Sequence, residues 1–393
     1  MNTPLSTRRA FLQKGLTILA VAPTVPAFLD RTVWAMADPL DDKAVGQPSG
    51  ADGKVLVVVQ LSGGNDGLNT IVPYADDVYH RARPGLKVNA KDVLRLDDYL
   101  GLHPNLKPLE PLYKDKWMSI VQGVGYPNPN RSHFRSMDVW HSAAPEKDVV
   151  TTGWLGRYFD NACPGCAPSV GVSIGETMPL SMKGERVTPL SFEKPESYRY
   201  NGPDRERYLK LHTVREGSAT HDEPVVKSVT GKKRGNVIVP ISPLDQLNFL
   251  TRTAMDAQLS SDDILRKTRA FRPTAEYPRG EFGDGLRTVA AMIAGELPTR
   301  VYYVSLGGFD THANQRGRHD NLMTEFASGV SAFWQDLKAQ KNDGRVLMMC
   351  FSEFGRRVAQ NASGGTDHGA AAPMFLFGPA VKQPIVGRHP SLA

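Results

Sequence analysis

The sequence has few cysteines and lacks the long charged runs that mark several protein classes. Its 393 residues contain three cysteines: Cys163, Cys166 and Cys350. A four-thiolate zinc site needs a second cysteine pair, so that type of site is excluded. Cys163 and Cys166 fit either a redox pair or, as we favour for an oxidising compartment, a local disulfide. No long basic run is present, so nucleic acid is not an expected partner.

No apolar run is long enough for an ordinary membrane span, but the N-terminus carries an export pattern. Adjacent Arg8 and Arg9 precede an apolar stretch over residues 16–29, and a small-residue cleavage site follows at residues 35–37. The apolar stretch is short and contains two prolines, which argues against a transmembrane anchor. The order of basic, apolar and small residues is that of a secretory signal. We therefore predict export by the twin-arginine translocation machinery to the periplasm or beyond.

The export signal also divides the chain. We predict a signal peptide over residues 1–37, a polar linker over 38–53 and one domain over 54–393, with an insertion or cap at about 176–240. The whole chain has a formal charge of +6, of which the signal carries +3, leaving only +3 for the rest. Hydrophobic residues make up 40%, which suits a soluble globular core.

Short apolar runs alternate with segments of helical periodicity. This alternation predicts an α/β fold with a doubly wound, mostly parallel sheet. Ligands of such sheets bind outside the carboxyl ends of the strands. The predicted strands cover residues 54–61, 118–122, 300–306, 345–351 and 373–378, and the predicted helices begin at Ser132 and cover about 244–271 and 319–340.

Metal-binding residue types follow several of these strands. Oxygen and imidazole ligands from several strand ends are what a divalent metal site requires. Each residue alone could instead cap a helix or form a turn, but their shared place at the strand ends favours a site. The candidate ligands are Asp66 after the first strand, Asp310 and His312 after the third, Glu353 after the fourth, and Asp367 and His368 before the fifth.

A second candidate group precedes a predicted helix. Ser132 is either the N-cap of that helix or a nucleophile placed at its N-terminus. In the second case the helix N-terminus and Arg131 would hold an anionic phosphoryl or sulfuryl group. We interpret His103 and His141 as structural histidines and place His319 on a helix surface.

Six segments of the sequence stand out as motifs. They are LSGGNDGLNTIVPY (61–74), YPNPNRSHFRSMDVW (126–140), TGWLGR (152–157), GGFDTHANQ (307–315), FSEFGRR (351–357) and GTDHG (365–369). Together they resemble one bacterial family of twin-arginine-exported proteins with a domain of unknown function, which is grouped with the alkaline phosphatase and sulfatase superfamily. The resemblance covers nearly all of the chain after the signal.

The resemblance implies a fold of alkaline phosphatase or sulfatase type and a metal-dependent hydrolase of sulfate or phosphate esters. It assigns one or two divalent metal ions to Asp66, Asp310, His312, Asp367 and His368, and the nucleophile to Ser132. Two departures stand out: Asp310 and His312 are closer in sequence than usual, and Glu353 precedes Phe354 where many members have Asp-His. The expected substrate is a small anionic ester or a sulfated or phosphorylated glycan. The alternative is a non-catalytic secreted binding or assembly protein.

Overall fold

The computed structural model describes residues 53–163, 166–198 and 261–392. The predicted signal peptide, nearly all of the predicted linker and residues 199–240 of the predicted insertion lie outside these ranges. So does the part of the predicted helix at 244–260. Within the described residues, no helix has both the length and the apolar character needed to cross a membrane.

An eight-stranded sheet organises the described residues. Its strand order is β11-β5-β10-β9-β1-β8-β6-β7, and in it β10 alone runs against the other seven strands. A smaller antiparallel sheet has the order β2-β4-β3. The strands are β1 Val55–Leu61, β2 Ile71–Val72, β3 Leu94–Arg95, β4 Gly101–Leu102, β5 Met118–Val124, β6 Gly171–Ile174, β7 Leu190–Phe192, β8 Val301–Leu306, β9 Val346–Phe351, β10 Ala372–Phe377 and β11 Ile385–Val386.

Helices connect these strands. Residues 261–270 are also helical, at the start of the third described range. Short 3-10 helices cover Pro104–Leu109, Pro168–Val170, Leu180–Met182 and Asp343–Arg345. The α-helices are α1 Gly67–Thr70, α2 Asp77–Ala82, α3 Glu110–Lys114, α4 His133–Ser142, α5 Trp154–Ala162, α6 Glu281–Ala294 and α7 Gln315–Ala339.

Strand β1 lies in the middle of the large sheet, and its side chains alternate between two hydrophobic cores. Val57 and Val59 pack in the core that contains α6 and α7. Val58 packs in the core on the other face, with Leu155 and Phe159 of α5. Because successive strand residues point to opposite faces, an all-apolar strand of this kind requires cover on both sides. This arrangement confirms the predicted doubly wound, mostly parallel α/β fold.

The five predicted strands correspond to β1, β5, β8, β9 and β10, and the predicted helix after Ser132 is α4. Part of the segment predicted as an insertion or cap belongs to the sheet, because residues 190–192 form β7 at the edge of the large sheet. That segment pairs with β6 in parallel and belongs to the sheet layer. Cys163 and Cys166 form a disulfide after α5, and Cys350 is buried in the core.

The carboxyl ends of three neighbouring strands meet at one edge of the sheet. Leu61 of β1 lies beside Leu306 of β8, and Gln60 lies beside Phe351 of β9. The loops that follow these strands are tied to each other by backbone hydrogen bonds, including one from the Phe309 amide to the Ser62 carbonyl. This edge therefore brings together segments far apart in the sequence.

Candidate metal centre

Four side chains converge at this edge of the sheet. Asp310 and His312 follow β8, His133 begins α4, and His368 lies in the loop before β10. The Nε2 atoms of His312, His368 and His133 lie 3.0, 3.2 and 3.5 Å from the Oδ1 atom of Asp310. The Nε2 atoms of His312 and His368 are 2.9 Å apart. We call these four residues the His3Asp cluster.

The second ring nitrogen of each histidine faces an acceptor. His368 Nδ1 donates to the Arg131 carbonyl at 2.7 Å, and His133 Nδ1 donates to Glu353 Oε1 at 2.9 Å. His312 Nδ1 lies 3.5 Å from Asp367 Oδ1.

An acceptor on Nδ1 fixes the proton there and leaves a lone pair on Nε2. All three lone pairs are consequently directed at the cluster.

The donor set fits a divalent cation. Three imidazole nitrogens and one carboxylate oxygen are zinc-type ligands, with bonds of about 2.0–2.2 Å that place tetrahedral ligand atoms about 3.3 Å apart. The observed contacts of 2.9–3.5 Å are of this size. The ligand atoms of His133, Asp310 and His368 all lie within 4.8 Å of one another. The Nε2 atom of His133 is buried and has no hydrogen-bond partner among the described residues. A cation in the cluster would satisfy it.

Charge at the cluster is set by Arg356. Its guanidinium is fully buried and donates to Asp310 Oδ1 at 2.9 Å and to the carbonyls of Gly64 and Thr366. Burial raises the pKa of Asp310, but the hydrogen bond and positive charge of Arg356, with smaller contributions from the neighbouring imidazoles, outweigh it and lower that pKa to about 2. Asp310 is therefore an ionised ligand at neutral pH.

Local packing fixes the positions of these groups. The buried ring of Phe354 lies 4.9 Å from the His133 ring and 4.5 Å from the His368 ring, measured between centroids. Gly63, at the end of β1, has a φ of 119°, and a Cβ there would lie 2.4 Å from the Asp310 amide nitrogen. Only glycine allows the two loops to approach so closely.

Three of the predicted ligands take part in other contacts. Asp66 lies outside the His3Asp cluster, where its buried Oδ2 pairs with Arg83 at 2.5 Å and accepts from Gln315. Burial raises the pKa of Asp66, but Arg83, together with His319 and Gln315, lowers it overall. Glu353 is buried and holds His133 and the Gly63 amide.

Asp367 is half exposed and faces His312 from behind. A hydrogen bond from Asn361 lowers its pKa. Glu353 and Asp367 thus orient histidines of the cluster.

Ser132 and Arg131 lie beside the cluster. The Arg131 carbonyl accepts from His368, and Ser132 is the exposed N-cap of α4. The Ser132 hydroxyl makes no capping hydrogen bond, and α4 has no acidic residue in its first turn. Within the described part of the chain, the Ser132 hydroxyl and the N-terminal turn of α4 are therefore available to a ligand.

Sequence reasoning named Ser132 and missed the importance of its neighbour His133. The two residues stand at the boundary of a loop and a helix, where hydrophobic periodicity cannot tell which side chain points inward. It also missed Arg356, although FSEFGRR was recognised as a motif. The available signal for Arg356 was a charged residue two positions after Phe354, in the loop that follows a predicted strand.

A second group of possible ligands contains His103, His319 and Asp320. The amide of Asn105 donates to His103 Nδ1 at 3.2 Å, so the proton of this ring lies on Nε2, which contacts Asp320 at 3.0 Å. His103 therefore has no free lone pair for a metal ion. The prediction that His319 lies on a helix surface is wrong, because its side chain is buried and its ring contacts that of His103. Burial lowers the pKa of His319 to about 4.

Comparisons with known proteins agree with the motifs. Residues 247–393 match the family described as "Protein of unknown function (DUF1501)". Over these residues the match agrees with the predicted resemblance to a family with a domain of unknown function. No curated protein matches the chain.

Solved structures similar to the chain include members of the two enzyme classes that the motifs suggested. The C-terminal periplasmic domain of EcEptC from Escherichia coli, in complex with Zn, has a TM-score of 0.39 and 11% identity, and the match covers 85% of this chain and 75% of that one. The PsFucS1 sulfatase from Pseudoalteromonas sp. has a TM-score of 0.36, 8% identity, and coverages of 85% and 64%. The alkaline phosphatase from the Antarctic bacterium TAB5 has a TM-score of 0.32, 10% identity, and coverages of 85% and 94%.

Proposed function

We propose that this protein is an exported metal-dependent hydrolase of sulfate or phosphate esters, with the His3Asp cluster as its metal centre. The observation that supports this most is the approach of two imidazole Nε2 atoms to 2.9 Å beside the Asp310 carboxylate. Lone pairs and a negative charge so close together repel each other unless a cation or a shared proton lies among them. A divalent metal ion supplies Lewis acidity, polarising an ester oxygen and lowering the pKa of a nearby hydroxyl.

The residues around the centre suit an anionic substrate. Ser132 is proposed as the nucleophile, because its hydroxyl is exposed and makes no capping hydrogen bond within the described residues. The N-terminus of a helix favours a negative charge, and Ser132 is the N-cap of α4. Arg131, the residue before it, is exposed, and its guanidinium could pair with a sulfate or phosphate group. A small anionic ester or a sulfated or phosphorylated glycan is the proposed substrate.

One metal ion, and not two, is the number that the contacts favour. Asp66 and Glu353, the two remaining buried carboxylates at this edge, already interact with Arg83 and His133. The second group of possible ligands among the described residues contains His103, whose two ring nitrogens are both engaged. The centre is accessible from solvent, because the side chains of Asp310 and His312 are 48% and 45% exposed.

The number of protein ligands also distinguishes hydrolysis from a second, non-catalytic function. A zinc site closed by four protein ligands is typical of structural sites, whereas catalytic sites keep one position for water or substrate. If all four members of the His3Asp cluster bind the ion, a secreted binding or assembly protein that retains one metal ion becomes the better proposal. If His133, at the longest distance from Asp310, leaves a position open, hydrolysis is favoured.

Elemental analysis and a substrate screen together test the proposal. Full-length protein purified without chelators should contain about one equivalent of a transition metal and should cleave aryl sulfate or aryl phosphate esters. Bound metal without cleavage of any ester would favour the non-catalytic function. Absence of bound metal, with no uptake from added Zn²⁺ or Mn²⁺, would contradict both proposals.

Export by the twin-arginine route is part of the same proposal. It is supported by Arg8 and Arg9 at the N-terminus and the small-residue cleavage site at 35–37. A protein that folds around a metal ion before export would use a route for folded cargo.

A further inference from the structure

Gln315 is the first residue of α7, and its side chain lies entirely inside the protein. Its amide contacts three segments. Oε1 accepts a hydrogen bond from Thr311 Oγ1 at 3.1 Å and another from Thr366 Oγ1 at 2.6 Å. Nε2 donates to Oδ2 of Asp66. A buried side chain that joins three loops at the end of a sheet restricts how those loops can move relative to each other.

Two of these contacts lie inside the segments that carry the ligands. Thr311 stands between Asp310 and His312, and Thr366 stands two residues before His368. The Thr366 amide also donates to the Thr311 carbonyl at 3.2 Å. The position of Gln315 Oε1 therefore bears directly on the distance between the two histidines.

The amide group of glutamine suits this place better than any other side chain of its size. A carbonyl oxygen has two lone pairs and can accept from both hydroxyl groups, while the NH2 group donates to a carboxylate. Asp66 cannot turn away from it, because Arg83 binds the same oxygen. Glutamate here would bring two carboxylates together, and an apolar side chain would leave both buried hydroxyls without this acceptor.

The two loops also approach each other closely at this point. A Cβ at Gly365 would lie 2.2 Å from the carbonyl carbon of His312, so the backbones are in direct contact. The backbone N–H of Gln315 donates to the Gly364 carbonyl at 3.0 Å. This bond connects the same loop to the start of α7. Backbone contact and the buried amide together leave little freedom in the separation of His312 and His368.

We propose that Gln315 is a positioning residue that sets the separation of His312 and His368 and thereby the metal affinity of the His3Asp cluster. This inference rests on the proposed metal centre. Gln315 itself offers no atom to the ion, since both polar atoms of its amide are used by Thr311, Thr366 and Asp66. Its effect on binding passes through the two threonine hydroxyls to the histidines beside them.

Metal titration of full-length variants tests the inference. Gln315→Met keeps the length of the side chain and removes all three hydrogen bonds. It should weaken Zn²⁺ binding, measured against a chromophoric chelator, by about 10–100-fold, as loss of an outer partner does at metal sites. It should also change the visible absorption of the Co²⁺-loaded protein, which reports ligand geometry. A role in stability alone would alter neither.

The matched control lies on the same helix. Gln335 is exposed on α7, and its Nε2 contacts only Ser331 among the described residues. Gln335→Met should bind Zn²⁺ like the wild type and give the same Co²⁺ spectrum. Equal affinity and spectrum in Gln315→Met and wild type would overturn the inference while leaving the metal centre in place. A wild type that binds neither ion would overturn the metal centre and, with it, the inference.

Two further variants decide the matter if Gln315→Met does not fold. Thr311→Val and Thr366→Val each remove one hydroxyl donor to Oε1 with little change of shape. Each should weaken Zn²⁺ binding, and the double variant should approach the loss expected of Gln315→Met. Unchanged Zn²⁺ affinity in the double variant would overturn the inference.

Discussion

His312 and His368 face each other through Nε2 atoms 2.9 Å apart, although 56 residues separate them in the sequence. His368 donates from Nδ1 to a backbone carbonyl, so its Nε2 atom carries a lone pair. The same pattern holds His312 against Asp367. Two lone pairs that meet beside an ionised Asp310 form an electron-rich pocket that attracts a cation.

The first prediction concerns the ligands. His133→Ala, His312→Ala and His368→Ala should each weaken metal binding and so lower the metal content. The loss of affinity should exceed the about 10–100-fold that follows removal of an outer partner. His80→Ala is the control, because the His80 ring bonds only the Tyr74 carbonyl within the described residues and should keep wild-type metal content. Elemental analysis after dialysis measures the difference.

His103→Ala separates the two histidine groups. Its buried ring contacts Asp320 and His319, so the substitution should reduce stability while metal content stays near that of wild type. Loss of metal from His103→Ala equal to that from His312→Ala would show that the ligand set is misassigned.

The strand pattern was predictable from sequence because a buried parallel strand is an uninterrupted apolar run. Val55–Leu61 is such a run, and its neighbours follow the same rule. The direction of single polar side chains was not predictable. His319 was expected on a surface, yet α7 packs against α6 and the 104–109 turn, and His319 lies on a covered part of the helix.

Asp66 illustrates a second limit. From the sequence, an Asp after the first strand is predicted to be a metal ligand. In the folded chain, however, Arg83 lies 2.5 Å from it. Arg83 belongs to a turn after α2, and its guanidinium also bonds the carbonyls of Arg357 and Val358, which lie far away in sequence. No local pattern reports such a contact.

The second prediction tests the role of Asp66. Asp66→Asn leaves the buried Arg83 without its counter-charge and should destabilise the protein by about 3–5 kcal/mol at pH 7. If Asp66 is only a structural partner, the folded fraction of this variant should still bind metal. The exposed Asp138 gives the control: Asp138→Asn should change stability by less than about 0.5 kcal/mol. Denaturant unfolding measures both.

The effect of Asp66 depends on pH in a defined direction. Burial raises the pKa of Asp66, but Arg83, with smaller contributions from His319 and Gln315, holds it below its ordinary value, so folding is favoured by the ionised carboxylate. The advantage of wild type over Asp66→Asn should be fully present above the unfolded pKa of about 3.9 and should disappear as the pH falls through the lower folded pKa. A difference that is constant down to strongly acidic pH would contradict the ion-pair role.

A third prediction concerns Glu353, which sequence analysis placed among the ligands. Glu353→Gln keeps an oxygen that can accept from His133 and Gly63 but removes the negative charge. The variant should retain its metal ion with about tenfold lower affinity, as expected for a partner behind a ligand. Complete loss of metal, equal to that of His133→Ala, would make Glu353 a direct ligand. Zn²⁺ competition titration distinguishes the two results.

The fourth prediction concerns export. Replacing both Arg8 and Arg9 with Lys should retain the charge and stop translocation, because the twin-arginine route reads the arginine pair. In wild-type cells the mature N-terminus should lie at or near Asp38. Lys14→Arg is the control and should be exported normally. Cell fractionation and N-terminal sequencing measure both, and normal export of the Arg-to-Lys variant would rule out this route.

The last prediction decides between the two roles of Ser132. Replacing a serine that caps a helix with alanine lowers the stability of the protein by about 0.5–2 kcal/mol. The Ser132 hydroxyl makes no capping bond within the described residues, whereas Asp76 caps α2 by accepting from the amides of Val78 and Tyr79. Asp76→Ala should therefore lose stability in this range, and Ser132→Ala should stay within about 0.5 kcal/mol of wild type.

Ester hydrolysis, unlike stability, should depend strongly on the Ser132 hydroxyl. A serine hydroxyl is a poor nucleophile near neutral pH unless a base or a metal ion activates it, and Ser132 lies one residue from His133 of the cluster. Ser132→Ala should abolish ester hydrolysis while metal content and the unfolding midpoint remain those of wild type, because no ligand and no cap is removed. A Ser132→Ala protein that hydrolyses esters at the wild-type rate would assign the attack to a metal-bound water or to His133, and would leave Ser132 with no part in the reaction.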